Sequence, residues 1–185
     1  MTLDEFLAMT LTEFLMSRIA EDEATARACV YPPHDGYKPH PELSRWFYRE
    51  GGEVEYVQTP EMLAHKYPER LYVTCDGEGL APAVGEVHGE HIARHDPARV
   101  LAECEAKRRI VAEAFEVAAT IDGEWGCCHD ADDIRRGYRE PTPGWGDEAE
   151  PLPEGCAGPE VAGKFLQALA AVYADHPDYR QEWKP

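Results

Sequence analysis

The feature that most constrains the fold of this chain is Asp96-Pro97, which opens a long segment of helical periodicity. Aspartate is a favoured N-cap residue, and proline suits the first helical position because its missing N–H has no partner there in any helix. Apolar residues then recur on one side, at Val100, Leu101, Cys104, Val111, Phe115 and Ala118. The pattern predicts a helix over 97–121, stopped by Asp122-Gly123.

Further apolar residues extend this stripe. Ile110, Val117 and Ile121 widen the apolar arc of the helix. An arc of that width is typical of a helix that is covered by more than one neighbour. We therefore predict that the helix is buried on more than one flank.

Two shorter helices are predicted near the ends of the chain. Thr10 and Glu13 form a Thr-x-x-Glu capping box before an apolar stripe, which predicts a helix over 10–28. Residues 2–9 repeat much of 10–17, and we expect them to form an extension or a loosely held turn. A last helix is predicted over 159–174, with an apolar stripe at Val161, Phe165, Leu169, Val172 and Tyr173.

Between the first and the long helix, the hydrophobic period changes to that of β-strands. Apolar runs at 46–48 and 54–57 flank Gly51-Gly52, which predicts a β-hairpin. A third strand is predicted at 71–75 and a weaker one near 83–87. The sheet region 46–87 thus predicts about three to four short antiparallel strands, with a helix covering one face.

These elements predict an α+β fold, with about three main helices packed on a small antiparallel sheet. We predict a single domain over 1–185, because this length and a hydrophobic content of 43% suffice for one core. Tyr179 and Trp183, near the end of the chain, are expected to dock on the body. The remaining segments are predicted as a Cys-Cys-His turn with a short helix at 124–138, an acidic Pro/Gly loop at 139–158 and a tail at 175–185.

The charge balance disfavours several classes of function. Acids outnumber bases by 36 to 18, which gives a net charge of -18. Direct nucleic-acid binding and docking on an anionic membrane are unfavourable, because both need clustered Lys and Arg. No apolar window is long enough for a transmembrane helix, and the N-terminal residues lack the basic leader of a secretory signal. We expect a cytoplasmic protein whose six cysteines are reduced thiols.

The best candidate metal ligands lie together at Cys127, Cys128 and His129. Zinc needs four convergent nitrogen or sulfur ligands, and the fourth would come from Cys156, His91, His95 or Cys75. Adjacent cysteines diverge, however, so we favour a tight turn with small, partly buried thiols. A structural zinc held by the Cys-Cys-His segment and Cys156 is the alternative.

Three histidines, His88, His91 and His95, form a second cluster. His91 and His95 would share one face of a helix, but Asp96-Pro97 marks a helix boundary and places His95 just outside it. The His-Glu-x-x-His arrangement of zinc proteases is absent. We therefore expect structural or exposed histidines and no metal site here.

Two charged clusters also have ordinary structural explanations. The basic run Lys107-Arg108-Arg109 is expected to pair with Glu103, Glu105 and acids of the first helix rather than hold a phosphate. The acids of 130–133 stand at a helix start, where the macrodipole favours them without a divalent cation. The sequence contains no Walker loop, no Gly-x-Ser-x-Gly and no dinucleotide-binding glycine motif, so no catalytic or cofactor-binding residue is predicted.

The segment HIARHDPARVLAECEAKRRIV (91–111) resembles a family of uncharacterised actinobacterial and actinophage proteins, known only as a domain of unknown function. Similar segments are LTEFL (11–15), WGCCH (125–129) and YADHPDYRQEW (173–183), so the resemblance spans nearly the whole chain. It implies no established activity, cofactor or catalytic residue. Relatives often carry a further cysteine near 137–138, where this chain has Gly137-Tyr138, and residues 2–9 precede their usual start.

The sequence therefore favours a small acidic protein without catalytic activity that acts through protein–protein contact or as a regulatory factor. The resemblance adds that it is encoded by a phage or a mobile element. A protein partner or self-association is expected. The alternatives are a zinc-binding module and, behind it, an enzyme whose site carries no recognised motif; a cleft that gathers His91, His95 and carboxylates would favour the enzyme.

Overall fold

The structure, a computed structural model, describes residues 9–29, 43–49, 51–58, 60, 72–76, 81–124, 130–136, 138–139, 150–151 and 156–185. These residues form the helices α1 (Leu11–Ala28), α2 (Glu86–Arg94), α3 (Pro97–Glu124), α4 (Ala131–Arg136) and α5 (Gly158–Ala170). Single 3-10 turns follow at Ala171–Tyr173 and Gln181–Trp183. The strands are β1 (Trp46–Arg49), β2 (Glu53–Tyr56), β3 (Tyr72–Thr74), β4 (Tyr138–Arg139) and β5 (Glu150–Pro151). The predicted α+β fold is confirmed.

The chain divides into two compact units. The helical unit consists of 1–19 and 106–185, and the sheet unit consists of 20–105. Because α1 and α3 run across these limits, each contributes residues to both units. The single domain expected over 1–185 stays a prediction. No helix within the described ranges has the length and apolar character to cross a bilayer.

The sheet unit is built on an antiparallel sheet with strand order β1-β2-β3. Its β1–β2 hairpin is the one predicted, and Gly51 and Gly52 have positive φ values of 101° and 90°. Glycine adopts that region without steric cost. Gly52 is also fixed by packing, since a Cβ atom there would lie 2.6 Å from the carbonyl oxygen of Val84. The sheet core consists of Leu43, Val54, Tyr56 and Val73.

The prediction of a weak strand near 83–87 is wrong. Ala81 makes an isolated parallel bridge to Thr74, and the helix α2 begins at Glu86. α2 packs on the sheet core through Ile92 and Ala93, while Gly89 is buried against the ring of Tyr48. The inward positions of α2 are thus few and small. A hydrophobic pattern that sparse carries little helical signal.

Asp96 caps α3 as predicted and also joins α3 to the sheet. One carboxylate oxygen accepts the backbone N–H of Arg99 at 2.8 Å, and the other accepts the backbone N–H of Trp46 at 3.2 Å. The side chain is only 8% exposed. A buried carboxylate needs such donors, and here they come from a helix start and a strand start. Asp96 therefore fixes the position of β1 beside α3.

The core of the helical unit surrounds Phe14, which is fully buried. Its ring makes edge contacts with Tyr173 and Tyr179 and a tilted contact with Trp183, at centroid distances of 6.3, 6.0 and 4.9 Å. Aromatic pairs at these separations add to the free energy gained by burial. The predicted docking of Tyr179 and Trp183 on the body is confirmed, and the C-terminal residues are part of the core.

The end of α3 differs from the prediction. The helix continues to Glu124 instead of stopping at 121, and Asp122 is 1% exposed. A carboxylate oxygen of Asp122 accepts the backbone N–H of Gly158 at 2.8 Å, at the start of α5. The positive end of a helix dipole favours a carboxylate at that place. Asp122 is thus a tertiary contact to α5 rather than a helix stop.

The buried face of α5 also differs from the prediction. The helix turns Gly158, Ala162, Leu166 and Ala170 inward, whereas Phe165 and Val172 are 48% and 68% exposed. Gly158 allows close approach, because a Cβ atom there would lie 2.6 Å from a carboxylate oxygen of Asp122 and 2.8 Å from the carbonyl oxygen of Ala118. The small residues set the orientation of α5 and leave Phe165 outside.

Candidate functional site

An apolar groove lies between α3 and α5 in the helical unit. It has a volume of about 270 Å³ and is lined by Arg109, Ile110, Glu113, Ala114, Val117 and Phe165. Ile110, Val117 and Phe165 form its walls with 43%, 41% and 48% of their surface exposed. Ala114, which is 3% exposed, forms the floor. We refer to these six residues as the α3–α5 groove.

The α3 wall of the groove follows from helical spacing. Ile110 and Val117 are seven residues apart, which places them on one face about 10 Å apart along the axis. The buried face of α3 lies beside them, with Val111, Phe115 and Ala118 in the core. The prediction that Ile110 and Val117 are buried on a second flank is therefore wrong. Within the described residues these two side chains remain on the surface.

The α5 wall follows from the inward turn of the small residues. Phe165 precedes the buried Leu166 and lies on the neighbouring face of the helix. Exposed large apolar residues are common singly, but three around one concave surface are characteristic of an interaction site. The sequence analysis missed this groove because it assigned all three residues to the core. The spacing of Gly158, Ala162 and Ala170 was the signal that α5 packs through a small-residue face.

The charges at the groove are few. Arg109 has other contacts of its own. On α5, Lys164 pairs with Glu160 at 2.6 Å, and its hydrogen bond lowers the pKa of Glu160. Glu113 is exposed and makes no ion pair with any residue in the described ranges. The charge at the rim that is not already paired is thus a carboxylate.

The predicted metal ligands Cys127, Cys128 and His129 lie outside the described residues. Cys156 is half-buried. In the parts of the chain that the structure describes, no group of three or more His, Cys, Asp or Glu side chains is placed to hold a metal ion. The zinc site at 127–129 with Cys156 stays a prediction.

The histidines are arranged differently from the prediction. Asp96-Pro97 is a helix boundary, as expected, but the unpredicted α2 runs up to it. His95 follows the last residue of α2 and donates its backbone N–H to the carbonyl of His91 at 3.1 Å. The two imidazole rings are therefore neighbours, with centroids 4.5 Å apart. The sequence analysis placed the boundary correctly and missed the helix before it.

One of these histidines lines a second concave surface, within the sheet unit. This cleft, which we call the Cys29 cleft, has a volume of about 290 Å³. Its lining is formed by Asp22, Thr25, Ala26, Cys29, Trp46, His95, Pro97 and Val100. The cleft contains an imidazole, a carboxylate and a thiol, but it does not gather several carboxylates as the enzyme alternative requires.

The other charged clusters have structural partners. Lys107 donates to the hydroxyl of Tyr173 at 2.8 Å, and Arg108 and Arg109 are also engaged in contacts. Glu103, one of the acids we expected beside this run, pairs with Arg99 at 2.7 Å instead. The expected pairing of the run with Glu105 and with acids of the first helix stays a prediction.

The acids of 130–133 form a helix cap, as predicted. Asp130 accepts the N–H of Asp133 at 2.8 Å, and Asp133 accepts the N–H of Asp130 at 3.3 Å. This reciprocal arrangement satisfies two backbone donors at the start of α4. Asp132 pairs with Arg135 at 2.5 Å. These contacts account for the three acids as parts of the start of α4.

Comparison with known proteins identifies a family. The model of the family described as "Family of unknown function (DUF6221)" matches residues 8–185, so the chain belongs to this family. The match begins at the end of the segment 2–9 that the resemblance placed before the usual start. No curated protein and no solved structure matches the chain. The description of the family gives no function, so a function for this chain is inferred from its geometry.

Proposed function

We propose that this DUF6221 protein is a non-enzymatic protein-binding factor that docks an apolar element of a partner protein in the α3–α5 groove. The observation that carries the proposal is the exposure of Ile110, Val117 and Phe165 around one concave surface. Aromatic and aliphatic anchors seated in such pockets supply most of the binding free energy of protein interfaces. A groove between two helices suits an amphipathic helix with anchors spaced at i and i+7.

The charge of the chain favours a different protein over a second copy of this one. Two copies would each bring a net charge of -18 to the interface, and like charges oppose association. Glu113 at the rim adds a carboxylate without an ion pair among the described residues. We therefore infer that the partner helix carries Lys or Arg beside its apolar anchors. The acidic surface of this protein attracts such a basic partner and so increases the rate at which the two associate.

The experiment compares capture by three versions of the full-length chain. The tagged wild type, the Ile110→Ser/Phe165→Ser variant and the control Val87→Ser are incubated with extract of the source organism, and bound proteins are quantified. Val87 is 77% exposed but lies on α2, outside the groove. A partner of the proposed kind binds the wild type and the control and is lost from the groove variant. It also binds the purified wild type directly, through a basic amphipathic helix.

Other outcomes contradict the proposal. The same set of proteins captured by all three versions means that the groove binds none of them. Sedimentation velocity shows whether the wild type forms a homodimer. If it does, and Ile110→Ser/Phe165→Ser abolishes the dimer, the groove binds a second copy of this chain instead of a different protein. Each result is read on variants whose circular dichroism spectra match the wild type, so that loss of the fold is not mistaken for loss of binding.

The alternative of a zinc module is decided by a separate measurement. Protein purified without a histidine tag is analysed for metal, and its stability is compared with and without a chelator. Structural zinc contributes directly to folding, so a zinc protein is destabilised by chelation. We expect substoichiometric zinc and unchanged stability.

We also propose that the protein is cytoplasmic and is encoded by an actinobacterial phage or mobile element, as the sequence resemblance implies.

A further inference from the structure

The Cys29 cleft brings together side chains that the docking function does not use. Its walls are largely apolar, from Ala26, Trp46, Pro97 and Val100, and its polar side chains include a thiol and an imidazole. Sites for small molecules share this composition, with an apolar wall and a few convergent polar groups. The volume of about 290 Å³ corresponds to about ten water molecules. The cleft is therefore of a size for a small ligand.

Cys29 is the exposed thiol among the described cysteines. Cys104 is buried, and Cys75 and Cys156 are half-buried. Cys29 follows the last residue of α1. Attack by a thiol requires loss of its proton, so a neighbouring group that takes the proton makes the thiol more reactive. His95 lines the same cleft, and imidazole is the side chain that accepts a proton near neutral pH.

A second and independent observation comes from Tyr56, behind the wall of the cleft. Its side chain is 2% exposed, and its hydroxyl has no hydrogen-bond partner among the residues that the structure describes. The ring meets Trp46, a wall of the cleft, edge-on at 6.1 Å. Burial raises the pKa of Tyr56 to about 12. Buried hydroxyls nearly always have partners, so this hydroxyl is an unusual feature behind the wall of the cleft.

We propose that the Cys29 cleft is a covalent modification site, in which the Cys29 thiol forms a mixed disulfide with a small disulfide compound that has an apolar or aromatic group. The apolar group lies against Trp46 and Val100, and His95 accepts the thiol proton. The Cys29 sulfur attacks one sulfur of the compound, the disulfide bond of the compound breaks, and its other half leaves as a thiol that takes up the proton. The incoming disulfide is the only oxidant required. This proposal is independent of the docking function.

The experiment measures the rate at which a neutral aromatic disulfide, 4,4'-dithiodipyridine, modifies each cysteine of the full-length chain. Peptide mapping by mass spectrometry follows each thiol, and Cys29→Ser identifies the signal of Cys29. The neutral, non-aromatic 2-hydroxyethyl disulfide is run in parallel. Both reagents are also reacted with a free cysteine peptide, which supplies the intrinsic preference between them. For each thiol we compare the rate with the aromatic reagent to the rate with the non-aromatic one. We expect this ratio to be about tenfold larger for Cys29 than for the peptide, because the cleft orients the aromatic reagent.

Matched variants separate the cleft from simple exposure. Thr25 lines the cleft and Ala24 does not, and both are exposed positions of α1. Thr25→Trp should slow modification of Cys29 by the aromatic disulfide about tenfold, whereas Ala24→Trp should leave the rate unchanged. His95→Asn should slow the reaction near neutral pH and shift its pH profile towards that of the free peptide. The charged or titratable groups lining the cleft are Asp22, Cys29 and His95, with His91 beside His95 and Tyr56 behind Trp46.

Several results would overturn the proposal. The same preference between the two reagents in Cys29 and in the free peptide would make Cys29 an ordinary surface thiol. Equal rates in Thr25→Trp and Ala24→Trp would show that the cleft recruits no reagent. An unchanged pH profile in His95→Asn would remove the imidazole from the reaction. Because Thr25→Trp and Ala24→Trp alter exposed positions, their folding is checked by circular dichroism before the rates are compared.

Discussion

The two faces of α5 differ in a way that reverses the usual arrangement of a surface helix. Its inward face consists mainly of small residues, Gly158, Ala162 and Ala170, while Phe165 faces outward. Burial of large apolar side chains normally drives helix packing. Here close approach and the contact between Asp122 and Gly158 position the helix. The outward face is therefore available for binding, because it does not pack in the core.

The largest expected effect is a difference in stability between substitutions on the inward and outward faces of α5. Leu166 is 5% exposed and its neighbour Phe165 is 48% exposed. Leu166→Ala should lower the free energy of unfolding by about 2–5 kcal/mol, because it leaves a cavity in the core. Phe165→Ala should change it by less than about 1 kcal/mol. Urea denaturation followed by fluorescence measures both; a larger loss for Phe165→Ala would mean that the outer face stabilises the fold.

A second prediction tests the close approach of α5. Gly158→Ala would place a Cβ atom 2.6 Å from Asp122 and 2.8 Å from a backbone oxygen of Ala118. We expect a loss of about 1–3 kcal/mol in the free energy of unfolding, because the backbone must move. Gly163 in the same helix has open space at its Cβ position. Gly163→Ala should therefore stabilise the protein by about 0.5–1 kcal/mol.

Both glycine variants are read by thermal unfolding. If Gly158→Ala is as stable as Gly163→Ala, the small-residue face does not set the position of α5. The explanation for the outward position of Phe165 would then fail as well. The pair is well matched, because both substitutions are the same chemical change in one helix and differ only in what surrounds the new methyl group.

A third prediction concerns Tyr56, in the core of the sheet unit. Its hydroxyl is buried without a hydrogen-bond partner in the described part of the chain, which is unfavourable by about 1–3 kcal/mol. Tyr56→Phe should therefore preserve or increase stability near neutral pH. In the wild type the raised pKa of Tyr56, about 12, means that its stabilisation is full below pH 10 and is lost as the pH rises through 12.

The alkaline limb of the stability curve tests this assignment. Tyr56→Phe should remove the part of the alkaline destabilisation that comes from ionising a buried phenol, and urea denaturation across alkaline pH measures it. If the free energy of unfolding of Tyr56→Phe falls at alkaline pH as steeply as that of the wild type, ionisation of Tyr56 does not contribute to alkaline unfolding. A loss of stability at neutral pH would show that the hydroxyl has a partner that stabilises the sheet unit.

The smallest expected effect lies at the exposed start of α1. Glu13 accepts the backbone N–H of Thr10 at 2.7 Å, and Thr10 accepts that of Glu13 at 3.2 Å. The backbone hydrogen bond from Thr10 lowers the pKa of Glu13. Its stabilisation is therefore present above the ordinary pKa of 4.5 and is lost as the pH falls through the lowered value in the folded state. Glu13→Gln should flatten this acid dependence in urea denaturation, and an unchanged dependence would contradict the cap.

Local chemistry was predictable from the sequence. The cap at Asp96, the capping box of Thr10 and Glu13, and the hairpin at Gly51-Gly52 each depend on residues close in the chain. The structure has all three. The docking of Tyr179 and Trp183 was also predicted, because large aromatic residues in a polar tail are rarely left in water.

Features that depend on packing between distant segments were not predictable in this way. The pattern of α5 was assigned by hydrophobicity, which ranks Phe165 above Ala162 and cannot register the approach of Asp122. The helix α2 was missed because Gly89 packs against Tyr48, a contact that no local pattern encodes. The α3–α5 groove was not predicted for the first of these reasons, since it exists only where large apolar residues of α3 and α5 remain exposed.

The central claim is that the outer face of α5 and the neighbouring face of α3 bind a partner without stabilising the fold. The most direct test measures two quantities for Phe165→Ser and for the control Val87→Ser: the dissociation constant of the captured partner and the free energy of unfolding. We predict that Phe165→Ser weakens binding about tenfold or more while unfolding changes by less than about 1 kcal/mol, and that Val87→Ser changes neither. Unchanged binding by Phe165→Ser, or binding lost only together with stability, would contradict the claim.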